Sequence, residues 1–273
     1  MIENVILCPF HKGSMIETPK GVLATCCDNT FFFNEDRILL LDHNLYLYSE
    51  VSTRDNQAKG YLKHNKFPTQ IARMNNWLGK IPNQLFNHSI LDLGCGPGPT
   101  TKMLLEKGAT KIYSIDFSIN SLKINKNSCL NFSVNPIYIL QDINELQLKD
   151  NSVSILFMAD FLQHITDIRK REEFLNNVFN SLSPGGYFFL SFFNINIKNS
   201  FKKDIKGSFS NGKIRYERLS YNDVISFFPK DIIVDKVIPM NISNYAILDH
   251  ILCSLPFAKY LSRMMIIQGR KRK

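Results

Sequence analysis

Long apolar runs are missing from this chain. No stretch offers the roughly 18 uninterrupted apolar residues that a membrane-spanning helix requires, so a helical integral membrane protein is not expected. Nothing at the start resembles a secretory leader either: MIENVILCPF carries an acid at Glu3 and an apolar run of only four residues, and a cytoplasmic location is the expectation. Cysteine is scarce, with six in 273 residues at positions 8, 26, 27, 95, 129 and 253. In such a compartment they argue against a disulfide framework and leave metal binding, chemistry or plain burial. Acids are outnumbered 24 to 33 by Lys and Arg, a formal net charge of +9. That balance favours anionic partners such as RNA, nucleotides or acidic lipid, but the basic residues are scattered and only the terminal GRKRK is a cluster, so a solvated basic surface is the plainer reading. Internal repeats and low-complexity tracts are absent.

What is present reads as an ordinary globular chain, 44% hydrophobic and 21% charged, long enough for one large core and a small accessory module. Residues 1–41 alternate short apolar stretches with turn chemistry (KGS, TPKG, DNT), which predicts small strands. Residues 42–67 are polar and irregular and read as a linker or flap. From Thr69, TQIARMNNWLGKI has helical spacing, and beyond Pro82 strands and helices alternate. SILDLG, KIYSID, PIYIL, VSILFMA and YFFLSFF read as strands, and TTKMLLEKG, SINSLKINKNSCL (N-capped by Ser118) and IRKREEFLNNVFNSLS as helices. This order predicts an α/β fold with a doubly wound, mostly parallel sheet. Residues 194–218 read as an inserted loop, SYNDVISFF as a short helix, DIIVDKVIPM and RMMIIQG as closing strands, and NYAILDHILCSLPFAKYL, broken by Pro256, as a lid or edge helix.

The segment ILDLGCGPG, residues 90–98, places three glycines within five positions between a strand and a helix. Glycines there permit a tight turn and a close backbone approach to a ligand beyond the carboxyl end of the strand. Asp116 ends the next strand, where an acid accepts hydrogen bonds from both hydroxyls of a ribose. The spacing is G-x-G-x-G, not the dinucleotide G-x-G-x-x-G, and Asp92 precedes it. A carboxylate beside the loop repels a pyrophosphate and suits a ligand carrying a sulfonium or ammonium cation.

At this point the chain resembles the class I S-adenosylmethionine-dependent methyltransferases, type 11-like, from about residue 68 onward. The resemblance rests on ILDLGCGPGPTT, IYSIDFS, LQDINELQL, FMADFLQHI and LSPGGYFFLSF, in that order. It implies a seven-stranded Rossmann-like sheet whose last strand runs antiparallel, with S-adenosyl-L-methionine as cofactor. By the same resemblance Gly94, Cys95, Gly96 and Gly98 would hug the methionine part, Asp116 the ribose and Asp142 the adenine amino group, with Phe117 and Ile143 sandwiching the ring. Asp160 is expected near the cofactor. Arg73 is either a partner of the methionine carboxylate or an exposed helix arginine, and His164 is either a general base for the acceptor or a brace for the following helix.

The front module resembles the zinc-ribbon-like segment found ahead of some methyltransferases, on the strength of CPFHKGSM and GVLATCCDNTFFFNEDRILLL. Cys8 and His11 keep the spacing of a first metal knuckle. Cys26 and Cys27 are adjacent and Ala24 stands where a ligand belongs, so two readings stay open: zinc held by Cys8, His11, Cys26 and Cys27, or a ribbon that lost its metal. The expected domain organisation is therefore 1–41 ribbon-like, 42–67 linker, and 68–273 methyltransferase. The expected activity is in-line methyl transfer to a small molecule or metabolite, enclosed by a lid of residues 42–68, 194–218 and 241–262. An RNA methyltransferase and a non-catalytic cofactor-binding protein that recruits a partner are the alternatives.

Overall fold

Alternation of side chains along each strand dictates how this chain layers. The computed structural model describes residues 2, 5–27, 29–41, 49–63, 68–243 and 245–273. Its main sheet runs in the order β12-β13-β9-β8-β5-β6-β7-β4. The strands are β4 (Leu39–Leu40), β5 (Ser89–Leu93), β6 (Lys111–Asp116), β7 (Ile137–Leu140), β8 (Val153–Met158), β9 (Leu182–Phe193), β12 (Ile232–Met240) and β13 (Met264–Lys271). β13 pairs antiparallel with both β9 and β12, and the remaining pairs are parallel.

Successive residues of a strand point to opposite faces, and the two faces are filled by different elements. Ile90, Ile112, Phe157, Phe189 and Ile266 pack with α2 (Pro68–Leu78) and α3 (Pro99–Glu106) through Met74, Trp77 and Leu104. Leu91, Tyr113, Leu156, Phe188 and Ile267 pack with Phe174, Leu175 and Val178 of α5 (Ile168–Ser181). The strands are continuous apolar runs because both faces are covered.

The same second face also receives the front module. Its small antiparallel sheet, β1 (Met15–Glu17), β2 (Gly21–Ala24) and β3 (Thr30–Phe32), buries Met15, Val22 and Phe31 in one cluster with Leu91 and Tyr113. β4 pairs with Ile139 and Leu140 of β7 and adds an eighth strand to the seven expected. The module is thus covalently and physically an extension of the main core.

Three segments differ from the sequence reading. The linker expected at 42–67 contains helix α1 (Ser49–Lys63), while residues 42–48 and 64–67 lie outside the described residues. Among the described side chains of α1, Val51 and Ala58 are the buried apolar ones, and polar contacts fasten the helix as well. The loop expected at 194–218 forms α6 (Ile197–Lys202) and a hairpin of β10 (Lys206–Phe209) and β11 (Ile214–Glu217). NYAILDHILCSLPFAKYL folds as two short helices, α8 (Ala246–Leu252) and α9 (Ala258–Leu261), because Pro256 prevents one continuous helix. The remaining helices are α4 (Ile119–Ser128) and α7 (Tyr221–Ser226).

Candidate active site

The chain leaves β5 into a bend in which Gly94, Gly96 and Gly98 all take positive φ, at 62°, 53° and 97°. The three glycines serve different ends. A Cβ on Gly98 would lie 2.2 Å from Asn125 Oδ1, and one on Gly94 would lie 2.8 Å from the Phe161 ring, so both make room for protein. A Cβ on Gly96 would meet nothing within 4 Å. The backbone at Gly96 therefore faces open space, where a ligand can approach it.

Asp116 governs that space. Its Oδ2 accepts from Gly96 N at 2.9 Å and its Oδ1 from Ser118 N at 2.8 Å, which fixes the carboxylate against the bend and against the start of α4. A carboxylate has about four acceptor positions, so each oxygen keeps one for a ligand. Two such acceptors, side by side, match the vicinal hydroxyls of a ribose. Burial pushes the Asp116 carboxyl up, and the two backbone N–H groups pull it back.

Asp92 and Cys95 sit deeper than the sequence reading placed them. Asp92 is 1% exposed and accepts from Thr101 Oγ1 at 2.7 Å, in a chain that continues to Ser114 and Asn125. Burial raises its pKa to about 7. It braces α3 beneath the bend and does not line the opening, so no direct pairing with a ligand cation is formed by this rotamer. The Cys95 thiol is buried beside Leu122 and Leu140 and held protonated by burial, so it contributes its backbone and not a nucleophile.

Asp142 caps the turn Ile143–Glu145 by accepting from Asn144 N, and Phe117 and Ile143 are half-buried at the ends of β6 and β7. At the end of β8, Asp160 takes a φ of +60°. Its carboxylate accepts from Ser191 Oγ at 2.5 Å and from Gln70 Nε2 at 2.8 Å. Gln70, from α2, and Ser191, from β9, are site residues that single-sequence reasoning missed. The Oε1 atoms of Gln70, Gln141 and Gln163 are buried without a protein partner, an unusual concentration of unsatisfied acceptors along the carboxyl ends of these strands.

α1 crosses this end of the sheet and is fastened at three places. Asp55 Oδ1 accepts from Ser118 Oγ at 2.5 Å and from Asn120 N at 3.1 Å, Gln57 donates to Ser210 Oγ at 2.6 Å, and Arg54 meets His164 at 3.1 Å. Sequence signs of α1 include Val51 and Ala58 seven apart and the Glu50–Arg54 pair, joined at 3.6 Å.

His164 Nδ1 lies 2.8 Å from the carbonyl of Arg215, so it must carry the proton. Nε2 is then the acceptor for the Arg54 guanidinium. Burial and the nearby Arg54 charge lower its pKa to about 4. Both nitrogens are engaged and the ring is a poor base, which is the geometry of a brace. Arg73 points away from the bend: Nη1 donates to the carbonyl of Pro239 at 2.7 Å, in a cavity between α2 and β12.

The front module gathers a second cluster. One ligand atom each from Cys8, His11, Cys26 and Cys27 lies within 4.8 Å of the other three. The Cys8–Cys27 and Cys26–Cys27 Sγ separations are 3.7 and 3.9 Å. Thiolates about 2.3 Å from a tetrahedral zinc stand roughly 3.8 Å apart, so the donor set fits that ion. Gly13 makes this possible, because a Cβ there would lie 2.5 Å from Cys26 Sγ. The amide of Asn29 donates to Cys27 Sγ at 3.3 Å.

A glycine bend and a carboxylate fixed by two backbone N–H groups thus lie together at the carboxyl end of a doubly wound sheet. Residues 90–186 match the family model described as a methyltransferase domain. Phosphoethanolamine N-methyltransferase 1 of Triticum aestivum is 28% identical over 151 residues, which are 55% of this chain and 28% of that protein. Ubiquinone biosynthesis O-methyltransferase of Erwinia tasmaniensis is 26% identical over 124 residues, 45% of this chain and 49% of that one. The chain thus spans half or less of the length of these curated relatives. Among solved structures, an S-adenosylmethionine-dependent methyltransferase from Clostridium acetobutylicum shares the fold with a TM-score of 0.59 at 13% identity, over 79% of this chain and 98% of that one. Phosphoethanolamine N-methyltransferase 1 of Haemonchus contortus does so with a TM-score of 0.56 at 17% identity, over 82% of this chain and 48% of that one.

Proposed function

We propose that the protein transfers a methyl group from S-adenosyl-L-methionine to a small-molecule acceptor. The observation that carries this reading is the Asp116 carboxylate, fixed through one position on each oxygen with one left free, beside the open face of Gly96. Asp116 would hold the ribose, Phe117 and Ile143 would flank the adenine with Asp142 beside it, and the backbone of residues 94–98 would follow the methionine part. When bound, the cofactor supplies a sulfonium-activated methyl. The chain's own work is then positioning and exclusion of water, for which the fastened α1 is suited. The braced His164 supports an acceptor that needs no strong base, as an amine or an already acidic hydroxyl does. The small-molecule class is favoured by the matched relatives, whose names specify phosphoethanolamine and ubiquinone biosynthesis.

Calorimetry with S-adenosylmethionine, its demethylated product and nicotinamide dinucleotide tests the reading. We expect binding of the first two, and Asp116→Ala to weaken it on the order of 100-fold through loss of a charged acceptor pair. Binding of the dinucleotide alone, or of none of the three, overturns it. Cofactor binding with no product in mass spectra of incubations with amine and phenol acceptors would favour a non-catalytic partner-binding protein.

The Cys8–His11–Cys26–Cys27 cluster supports a structural zinc ion. Four protein donors close the coordination shell, leaving no position for a substrate. Metal analysis of the purified, untagged chain should return about one zinc per molecule, and Cys27→Ser should lose it. A metal-free protein with an unchanged melting temperature after chelation favours the ribbon without metal.

A further inference from the structure

A surface helix ordinarily turns its apolar stripe inward and its charges outward. Among the described side chains of α8, the acid is turned inward and two apolar residues are turned outward. Its one acid, Asp249, is 2% exposed and accepts from the backbone N–H groups of Ile242 at 2.6 Å and Ser243 at 3.1 Å, closing the turn that follows β12. Asp249 and Cys253, four residues apart, both face the protein and fix the helix rotation. Leu248 and Ile251 are consequently turned to solvent, with Ile251 55% exposed. Tyr245, Phe257, Tyr260 and Leu261, before α8 and through α9, are exposed as well.

α6 packs beside α9 and extends the patch with Ile197 and with Phe201, 85% exposed. None of these side chains is among those described around the glycine bend, and all are exposed. Lysines outnumber acids beside them: Lys198, Lys202, Lys203 and Lys259 are exposed, with Asp204 next to Lys203. Lys259 Nζ lies 5.0 Å from the Tyr260 ring, a lysine lying along its apolar neighbour with its charge outward.

We infer that the α6–α8–α9 surface docks on an anionic phospholipid bilayer. Aromatic and aliphatic side chains projecting among lysines are the composition of an interfacial membrane anchor. Charge complementarity selects lipid over a second copy of this chain, since two copies would bring the same lysines face to face on molecules that each carry a formal +9. No helix among the described residues is long and apolar enough to cross a membrane, so the attachment is peripheral. The patch hangs from the carboxyl end of the sheet: Asn194, just beyond β9, donates to the carbonyls of Lys259 and Ser262, and Ser191 of β9 holds Asp160. Docking therefore turns the rim of the candidate site toward the bilayer. That consequence rests on the methyl-transfer reading, whereas the docking does not.

Sedimentation with vesicles tests it, using the full chain without cofactor. We expect at least tenfold stronger binding to phosphatidylcholine vesicles containing about one third phosphatidylglycerol than to phosphatidylcholine alone. The pair Phe201→Ser and Ile251→Asp should reduce it at least tenfold at any salt concentration. Replacing Lys198, Lys202 and Lys203 by Glu should reduce it mainly at low salt. All five positions are exposed, so melting temperature and cofactor affinity should stay unchanged. Absence of vesicle binding at low salt overturns the inference, as does binding that both sets of variants leave intact. A concentration-dependent dimer abolished by Ile251→Asp overturns it in favour of a second copy. Vesicle binding by a chain that fails to bind the cofactor would leave the docking standing and the methyl-transfer reading refuted.

Discussion

At the scale of single residues, the glycine bend separates packing from ligand space, and the separation is measurable. Gly98→Ala forces a Cβ against Asn125 at a φ of +97° and should cost more than about 2 kcal/mol of stability. Gly96→Ala meets open space at a φ of +53°, so chemical denaturation should show a cost of about 1 kcal/mol while calorimetry shows a much larger loss of cofactor affinity. Two buried titratable groups oppose each other in pH. The Asp92 carboxyl, raised to about 7, contributes stability that is present below its unfolded pKa and lost as pH rises toward 7. His164, lowered to about 4, stays neutral in the fold, so its contribution is present above about 6.5 and lost as pH falls toward 4. Melting curves of Asp92→Asn should therefore gain on the parent chain as pH rises from 4 to 7, by on the order of 4 kcal/mol if the full shift is realised. Those of His164→Gln should gain as pH falls from 6.5 to 4. A constant difference across the range would show that neither group is perturbed.

At the scale of elements, what could be read from sequence depended on how each element is held. β5 to β9, with α2 to α5, announce themselves through apolar runs, helical spacing and the Ser118 cap, because each buries a stripe of its own side chains. α1 was not legible. It is attached by Asp55, Gln57 and Arg54 reaching residues 63, 153 and 110 positions away, and such partners are set by the fold and not by neighbours in the chain. The hairpin β10–β11 was hidden for a similar reason, since β10 is mostly exposed and β11 buries only Ile214 and Tyr216, leaving the pair to rest largely on cross-strand pairing. Asp55→Ala removes the acceptor shared by Ser118 and Asn120. Limited proteolysis should then cut within α1 several-fold faster, and cofactor should restore protection if α1 closes over it. Unchanged cleavage would mean that the Asp55 contacts are not what holds the helix in place.

At the scale of the whole molecule, the front module and the sheet behave as one body: β4 extends the sheet edge, and Met15, Val22 and Phe31 share a cluster with the central strands. Stripping the metal expected at Cys8, His11, Cys26 and Cys27 should accordingly lower the melting temperature of the entire chain in a single transition, whereas two separate transitions would mark independent units. By itself the sequence determined the parallel α/β order, the glycine bend after β5 and the acid that ends β6, since strand burial, glycine spacing and strand ends are local consequences of residue type. Only the tertiary structure decided that Asp92 supports the bend from beneath, that His164 is locked between Arg54 and a carbonyl, that two adjacent cysteines converge with a distant cysteine and histidine, and that α8 faces outward. Each of these depends on contacts between residues far apart in the chain, where packing and desolvation outweigh any preference a side chain expresses alone.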